Sequence, residues 1–402
     1  MAETLPHASS HDVNTDLIWQ RFQVPFEYPV FFGRGLFERG SDIVRRAVSL
    51  REPDKRHRCI FFVDDGVLRS QPELLKKIQS YADANADMIE LACAPVPVPG
   101  GETIKNDPAH MTAISNVIAE SGLDRHSYVI AVGGGAVLDT VGYAAAIAHR
   151  GIRHIRIPTT VLSQNDSGVG VKNAVNAFGK KNYSGTFAPP WAVINDLDFL
   201  NGLPRQERLA GISEAIKVSL IRDGAFFLWL EQNAGRLANF EPDAEEYMVR
   251  HCAQLHMNQI ALGGDPFELG SSRPLDFGHW SAHKLEALTG HSLSHGNAVS
   301  IGIALDARYS VLAGLMPDGE DHRVLSLLKK LGLPIWHSTF DQKDNDGRLS
   351  VIAGLEEFQE HLGGELTITL LASCGTGVDV HAISSEYVLE AIEWLRTQDQ
   401  TS

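Results

Sequence analysis

Val129-Ile-Ala-Val-Gly-Gly-Gly-Ala-Val-Leu-Asp139 constrains the fold more than any other stretch of this chain. The apolar run is short and bounded, which suits a strand covered on both faces. Glycines let the backbone turn tightly, and the pattern over 136–149 is helical. A strand that passes straight into a helix asks for parallel neighbours, because the crossover returns the chain to the same side of the sheet. The neighbouring sequence offers them. Residues 59–63 read as a buried strand stopped by Asp64-Asp65-Gly66, 71–84 as a helix and 88–92 as a strand. Residues 111–121 then read as a helix, and 155–157 as a short strand stopped by Pro158. The first half is therefore expected to be an α/β domain around a parallel sheet.

From about residue 205 the apolar period is mostly helical, over 209–221, 226–237, 244–259, 279–288, 299–312 and 322–330. Residues 366–371 alternate like a strand, and 386–395 read as a closing helix. A boundary near Leu203-Pro204 divides the chain into an extension over 1–20, an α/β domain over 21–204 and a mainly α-helical domain over 205–402. A chain of 402 residues buries enough core to need no disulfide or metal for folding alone. Its formal charge of −15 disfavours nucleic acid and anionic membranes, while leaving room for a local basic pocket. Four scattered cysteines without a CxxC pair, and no signal peptide or membrane span, make a reduced, cytoplasmic protein the expectation.

The glycine run departs from G-x-G-x-x-G, so alone it could equally be a tight turn or a phosphate cradle at a helix N-terminus. Asp64 ends one expected strand, where an acid can accept hydrogen bonds from ribose hydroxyls, and Pro99–Lys105 adds a glycine turn with Glu102 and Lys105. Three such turns would line one edge of a parallel sheet. Residues 157–182 form a polar loop of small residues and hydroxyls, with Asp166 and three lysines. Lys172, Lys181 and Asn182 could hold a phosphate there, or simply face solvent.

His279, His283, His291 and His295 fall within 17 positions and form two i,i+4 pairs. Imidazoles with a carboxylate make a catalytic metal site, and Glu214, three residues before Lys217, could supply the carboxylate. His279-Trp-Ser-Ala-His283 lacks the glutamate of a zinc protease, and spacing does not say which histidines bind.

In order along residues 25–380, these motifs resemble the 3-dehydroquinate synthase family, the sugar phosphate cyclases. The matching motifs are Gly-Gly-Glu102-x-x-Lys105, Gly133-Gly134-Gly135-x-x-x-Asp139, Arg150-Gly151, Ile157-Pro-Thr-Thr160 and Asp166-Ser-x-Val-Gly-x-Lys172. Gly179-Lys-Lys-Asn182, Glu214-Ala-Ile-Lys217, Phe277-Gly-His-x-x-x-His283 and His295-Gly296 complete the set. The resemblance implies an NAD-binding α/β domain with a Rossmann-like sheet, a helical zinc domain and a homodimer. It implies Glu214, His279 and His295 as ligands of Zn2+, or of Co2+ or another divalent ion. His283, Lys172, Asn182 and Arg150 would face the substrate phosphate, Arg150 from across the dimer, and Asp166 and Lys217 the substrate hydroxyls. Asp64, Glu102, Lys105, Gly133, Gly134, Gly135, Asp139, Thr159, Thr160 and Lys181 would surround NAD. The implied reaction oxidises an alcohol with NAD+, eliminates phosphate, returns the hydride and closes a carbocycle by an internal aldol step.

The chain also departs from the quinate-forming members. Asn258 replaces a lysine, Asp276 replaces an asparagine, and an arginine position falls at Ser272 or Arg273. A late lysine has no counterpart, and Glu360-His-Leu-Gly-Gly-Glu-Leu-Thr stands there instead. In those members several of these positions hold the acidic groups of the substrate. An aspartate at 276 suits a hydroxyl better than a carboxylate. The expected substrate is thus a phosphorylated sugar without the carboxylate, such as sedoheptulose 7-phosphate, as in the valiolone-synthase-type and EboD-like branches. The alternatives are a genuine 3-dehydroquinate synthase acting on 3-deoxy-arabino-heptulosonate 7-phosphate, or an iron- or zinc-type NAD-dependent alcohol dehydrogenase.

Overall fold

The computed structural model describes residues 17, 19–270, 274–290, 292–361 and 366–400. Most of the proposed extension, His291, the Ser272/Arg273 position and residues 362–365 lie outside the described residues.

The chain-ordered strands of the first half are β1 (Val30–Gly33), β2 (His57–Asp64), β3 (Ile89–Leu91), β4 (Val96–Val98), β5 (Tyr128–Gly133), β6 (Arg153–Pro158), β7 (Lys172–Ala177), β8 (Lys180–Phe187) and β9 (Ala192–Asp196). Seven of them form one sheet in the order β1-β9-β6-β5-β2-β3, with β4 also paired to β2, and every pairing is parallel. The apolar runs are nearly continuous because both faces are covered. Phe61, Val63, Ile130, Val132, Ile155 and Ile157 fill one side. Ile60, Phe62, Val129 and Ala131 fill the other, against Val137, Leu138 and Val141 of the Gly135–Ile147 helix.

From β2 the chain moves outward to β3 and then returns to place β5 on the other side of β2. Such a reversal opens a crevice at the carboxyl ends of the two strands. Asp64 and the glycine run stand at those ends, in register with Val98 and Pro158 respectively.

Beyond Pro204 the chain is mainly helical, with the helices sharing one apolar core. The Arg205–Arg222 helix is buried without a break from Leu209 to Ile221, so it runs through the middle of this half. A late antiparallel hairpin, β10 (Ile368–Ser373) with β11 (Thr376–Val380), packs against it. Among the described residues no helix is long and apolar enough to cross a membrane.

Two local expectations need correction. The polar segment before residue 190 is largely a β-hairpin, β7 with β8, rather than a loop. Phe178 and Gly179 turn it with φ of 53° and 72°, the paired left-handed conformation that suits a two-residue hairpin. The helix expected from residue 299 begins at His295, which puts that side chain in a helix's first turn.

Strand β6 also buries His154 and Arg156 on the face opposite its isoleucines. His154 Nδ1 lies 3.1 Å from the Val129 carbonyl. Burial, helped by the Arg156 charge, pushes the imidazole down to about 3. The unfolded chain takes up a proton near pH 6.5 that the fold refuses, so this residue's contribution to stability is lost as pH falls below that value. Urea unfolding at pH 7.5 and pH 5 is expected to show His154→Gln losing about 2 kcal/mol less than the parent protein. Equal losses would show that His154 is not the source.

Candidate active site

Glu214 sits midway along the buried Arg205–Arg222 helix, 1% exposed. His279 opens the His279–Leu288 helix and His295 the His295–Leu312 helix. The Nε2 atoms of His279 and His295 lie 3.9 and 3.6 Å from Glu214 Oε1. One ligand atom from each of the three residues falls within 4.8 Å of the others. The opposite ring nitrogens are also engaged. His279 Nδ1 lies 3.1 Å from the Phe277 carbonyl, and His295 Nδ1 3.2 Å from Glu286 Oε1. In the neutral tautomers that donate from Nδ1, both Nε2 lone pairs face Glu214, the arrangement that metal-binding histidines use. Glu214 Oε1 is buried without a hydrogen-bond partner. Two imidazoles and one such carboxylate fit a three-ligand metal site with an open position.

Around this cluster the charges are closely matched. Lys217 Nζ lies 2.5 Å from Glu214 Oε2. Burial works against the Lys217 charge, but Glu214 and Asp166 outweigh it and hold the ammonium above its usual range. Burial pushes Glu214 up, yet Lys217 prevails and the carboxyl is held down to about 2. Asp166 follows the Val161–Asn165 helix and pairs with His256 Nδ1 at 2.7 Å. Burial raises its carboxyl, and His256 and Lys217 more than reverse that. Asp276 is half-buried just before His279, and it too stays below the usual carboxylate range because His279, Lys172 and Lys217 overcome burial. His283 is exposed beside the cluster, its ring centroid 5.3 Å from that of His279.

The sheet edge makes the second half of the site. Asp64 Oδ1 accepts from Gly66 N at 2.7 Å and Oδ2 from Gly134 N at 3.4 Å. Burial raises this carboxyl. A Cβ at Gly133 would come within 2.9 Å of Asp64 Cβ and 2.8 Å of Val137 Cβ, and one at Gly135 within 2.8 Å of Ser167 Oγ. The glycines thus give up volume to their neighbours while Gly134 caps the helix. Gly133→Ala is expected to cost about 1–3 kcal/mol in urea unfolding through overpacking. A change within error would show that Val137 yields freely.

Thr160 caps the Val161–Asn165 helix, and its neighbour Thr159 donates its amide to the Gly133 carbonyl at 3.0 Å. Thr159 Oγ1 and Ser167 Oγ are buried without partners next to the glycine run. These orphaned hydroxyls and the helix N-terminus fit a phosphate-bearing nucleotide. Lys105 is buried on the same edge, paired with Asp139 at 2.8 Å, and Glu102 accepts from Asn176 at 2.7 Å.

The phosphate residues suggested by the polar segment are not gathered together. Lys172 pairs with Glu268 at 2.5 Å, Lys181 with Glu286 at 3.1 Å, and Asn182 Oδ1 takes Lys105 Nζ at 2.5 Å. The hairpin separates them, since Lys172 pairs with Phe187 at its base and Asn182 lies toward its tip. Lys181 therefore faces the histidine cluster rather than the glycine run. Arg150 is exposed on a turn preceding β6, at the edge of the sheet opposite the site. Six residues of strand, about 20 Å, separate the two edges.

Two residues escaped the sequence reading. Glu286 lies seven positions after His279 on the same helix, a spacing that keeps it on one face. Its buried carboxylate joins Lys181 to His295. His256, which holds Asp166, had no local motif to mark it.

Comparison with known proteins accords with this geometry. The 3-dehydroquinate synthase N-terminal family matches residues 95–210, and the 3-dehydroquinate synthase C-terminal family residues 211–352. A 2-epi-5-epi-valiolone synthase from Streptomyces hygroscopicus subsp. jinggangensis 5008, solved with NAD+ and Zn2+ bound, is 26% identical over 95% of this chain and 100% of its own, with a TM-score of 0.82. A 2-deoxy-scyllo-inosose synthase complexed with carbaglucose-6-phosphate, NAD+ and Co2+ shares the fold at 23% identity, covering 92% of this chain and 96% of its own, with a TM-score of 0.71. An iron-containing alcohol dehydrogenase from Corynebacterium glutamicum ATCC 13032 also shares it at 13% identity, covering 95% and 97%, with a TM-score of 0.58.

Proposed function

The chain belongs to the 3-dehydroquinate synthase family, and from that premise we propose that it is an NAD- and metal-dependent sugar phosphate cyclase acting on sedoheptulose 7-phosphate. The observation that carries the reading is the convergence of Glu214, His279 and His295 beside Lys217 and Asp166. The valiolone synthase solved with NAD+ and Zn2+ supports the choice of cofactors.

When bound, NAD+ would take one hydride from a substrate carbon and return it, and a divalent ion held by Glu214, His279 and His295 would polarise the oxygen on that carbon. Lys217 stays protonated between carboxylates and donates to a substrate hydroxyl. Asp166, kept ionised by His256 and Lys217, accepts from another. Lys172 and His283, both exposed at the rim, hold the phosphate, which requires Lys172 to leave Glu268. Arg150 reaches the phosphate from a second copy of the chain, since its own sheet separates it from its own site. The enzyme then works as a homodimer.

The Asp276 carboxylate selects the sugar. It stands beside His279, where the carboxylate of a heptulosonate would meet like charge, whereas sedoheptulose 7-phosphate offers hydroxyls. Purified protein with NAD+ and zinc is to be given sedoheptulose 7-phosphate, 3-deoxy-arabino-heptulosonate 7-phosphate and glucose 6-phosphate. The expected result is phosphate release from sedoheptulose 7-phosphate with a carbocyclic product and no net gain of NADH. Release only from the heptulosonate would overturn the substrate assignment, and stoichiometric NADH without phosphate would mark a dehydrogenase.

A further inference from the structure

We propose that Arg156 is a positioning residue, a buried cation that shapes the substrate side of the site without touching substrate. Its side chain is 0% exposed. Its described hydrogen bonds all run to neutral oxygens. Nη1 donates to the carbonyls of Ser167 (3.4 Å), Gly168 (3.3 Å) and Gly170 (2.9 Å). Nη2 donates to the Lys172 carbonyl and to Asn173 Oδ1, each at 2.7 Å.

A buried guanidinium is tolerated only where enough negative density surrounds it. Here the backbone of residues 167–172 supplies that density by turning successive carbonyls inward. Carbonyl dipoles aimed at one point repel each other, so the bend depends on the cation as much as the cation depends on the bend. The planar fork fixes both rows of acceptors at once, which a neutral side chain cannot reproduce.

The surroundings are built for this arrangement. Asn173 is buried, and its Nδ2 donates to the Ala188 carbonyl at 3.2 Å, which leaves Oδ1 for Arg156. Gly142 faces that amide, and a Cβ there would run into Asn173 Oδ1 and stand 3.0 Å from His154 Nε2.

The clasped segment carries Asp166 at one end and Lys172 at the other, while Glu214, His279 and His295 belong to separate helices. Loosening the segment therefore displaces the groups assigned to the sugar phosphate and leaves the metal ligands in place. This inference rests on the placement of Asp166 and Lys172 against substrate argued above.

Arg156→Gln, Arg156→Lys and Asn173→Ala test it in the full-length protein. The readouts are amide hydrogen exchange, zinc content, and KM and kcat for sedoheptulose 7-phosphate. Arg156→Gln is expected to speed exchange over residues 166–173 and to raise KM by about tenfold or more, with zinc content unchanged. Arg156→Lys should restore part of both, and Asn173→Ala, which keeps the cation, should show the same pattern more weakly. Should Arg156→Gln not fold, the Arg156→Lys and Asn173→Ala shifts decide the matter. Parental exchange and KM in the variants, or a lower melting temperature alone, would overturn the proposal. If the parent protein turns over none of the three sugar phosphates, the functional reading fails instead, and exchange still reports whether Arg156 holds the segment.

Discussion

Glu214→Ala is expected to empty the metal site and to cut phosphate release by about a thousandfold or more. Glu214 is the one carboxylate among the three converging ligands, and its Oε1 is buried with no other hydrogen-bond partner. Alanine removes the carboxylate ligand and leaves two imidazoles, which hold a divalent cation weakly in water. Elemental analysis after dialysis should fall from about one ion per chain to a small fraction of that. The substitution also strips Lys217 of its nearest partner, so melting temperature must be followed alongside. A variant that keeps both its metal and its turnover would remove Glu214 from the site.

The second large effect is expected at Lys217. Methionine there keeps most of the side-chain volume and removes the charge. Lys217 lies between Glu214 and Asp166, both of which it helps to keep ionised. Without it the buried Glu214 and the half-buried Asp166 lose their shared cation, at a cost of about 3–5 kcal/mol in the metal-free protein. Turnover is expected to fall by about two to three orders of magnitude, because the donor assigned to the substrate oxygen is gone. The metal should remain, since Glu214, His279 and His295 are intact. That pairing of retained metal with lost kcat separates Lys217 from the ligands. A kcat within a factor of about ten of the parent would deny it a direct role.

The sheet was legible where burial wrote its own pattern. The runs at 59–63 and 129–132 are apolar throughout because helices cover both faces, and the glycines after Val132 marked the strand end. The helical half was legible for a similar reason, with the expected 279–288 segment beginning and ending where the structure places it. Histidine spacing brought His279 and His295 forward, and the structure sets both against Glu214, 65 and 81 residues earlier in sequence. What local pattern does not encode is the pairing of distant side chains. Lys172 and Asn182 looked like neighbours in a loop, but a two-residue turn at Phe178-Gly179 stretches them along a hairpin. Glu286 falls in an expected helix and Arg156 in an expected strand, and only the fold shows each enclosed by partners from other elements.

The account depends most on Glu214, His279 and His295 clasping one divalent ion. X-ray absorption at the zinc edge, on protein carrying one equivalent of metal, reads that shell directly. The expected spectrum shows two imidazole nitrogens and carboxylate oxygen at about 2.0–2.2 Å, losing one imidazole in His279→Ala and in His295→Ala alike. A shell of water oxygens alone, or one that neither substitution alters, would contradict it.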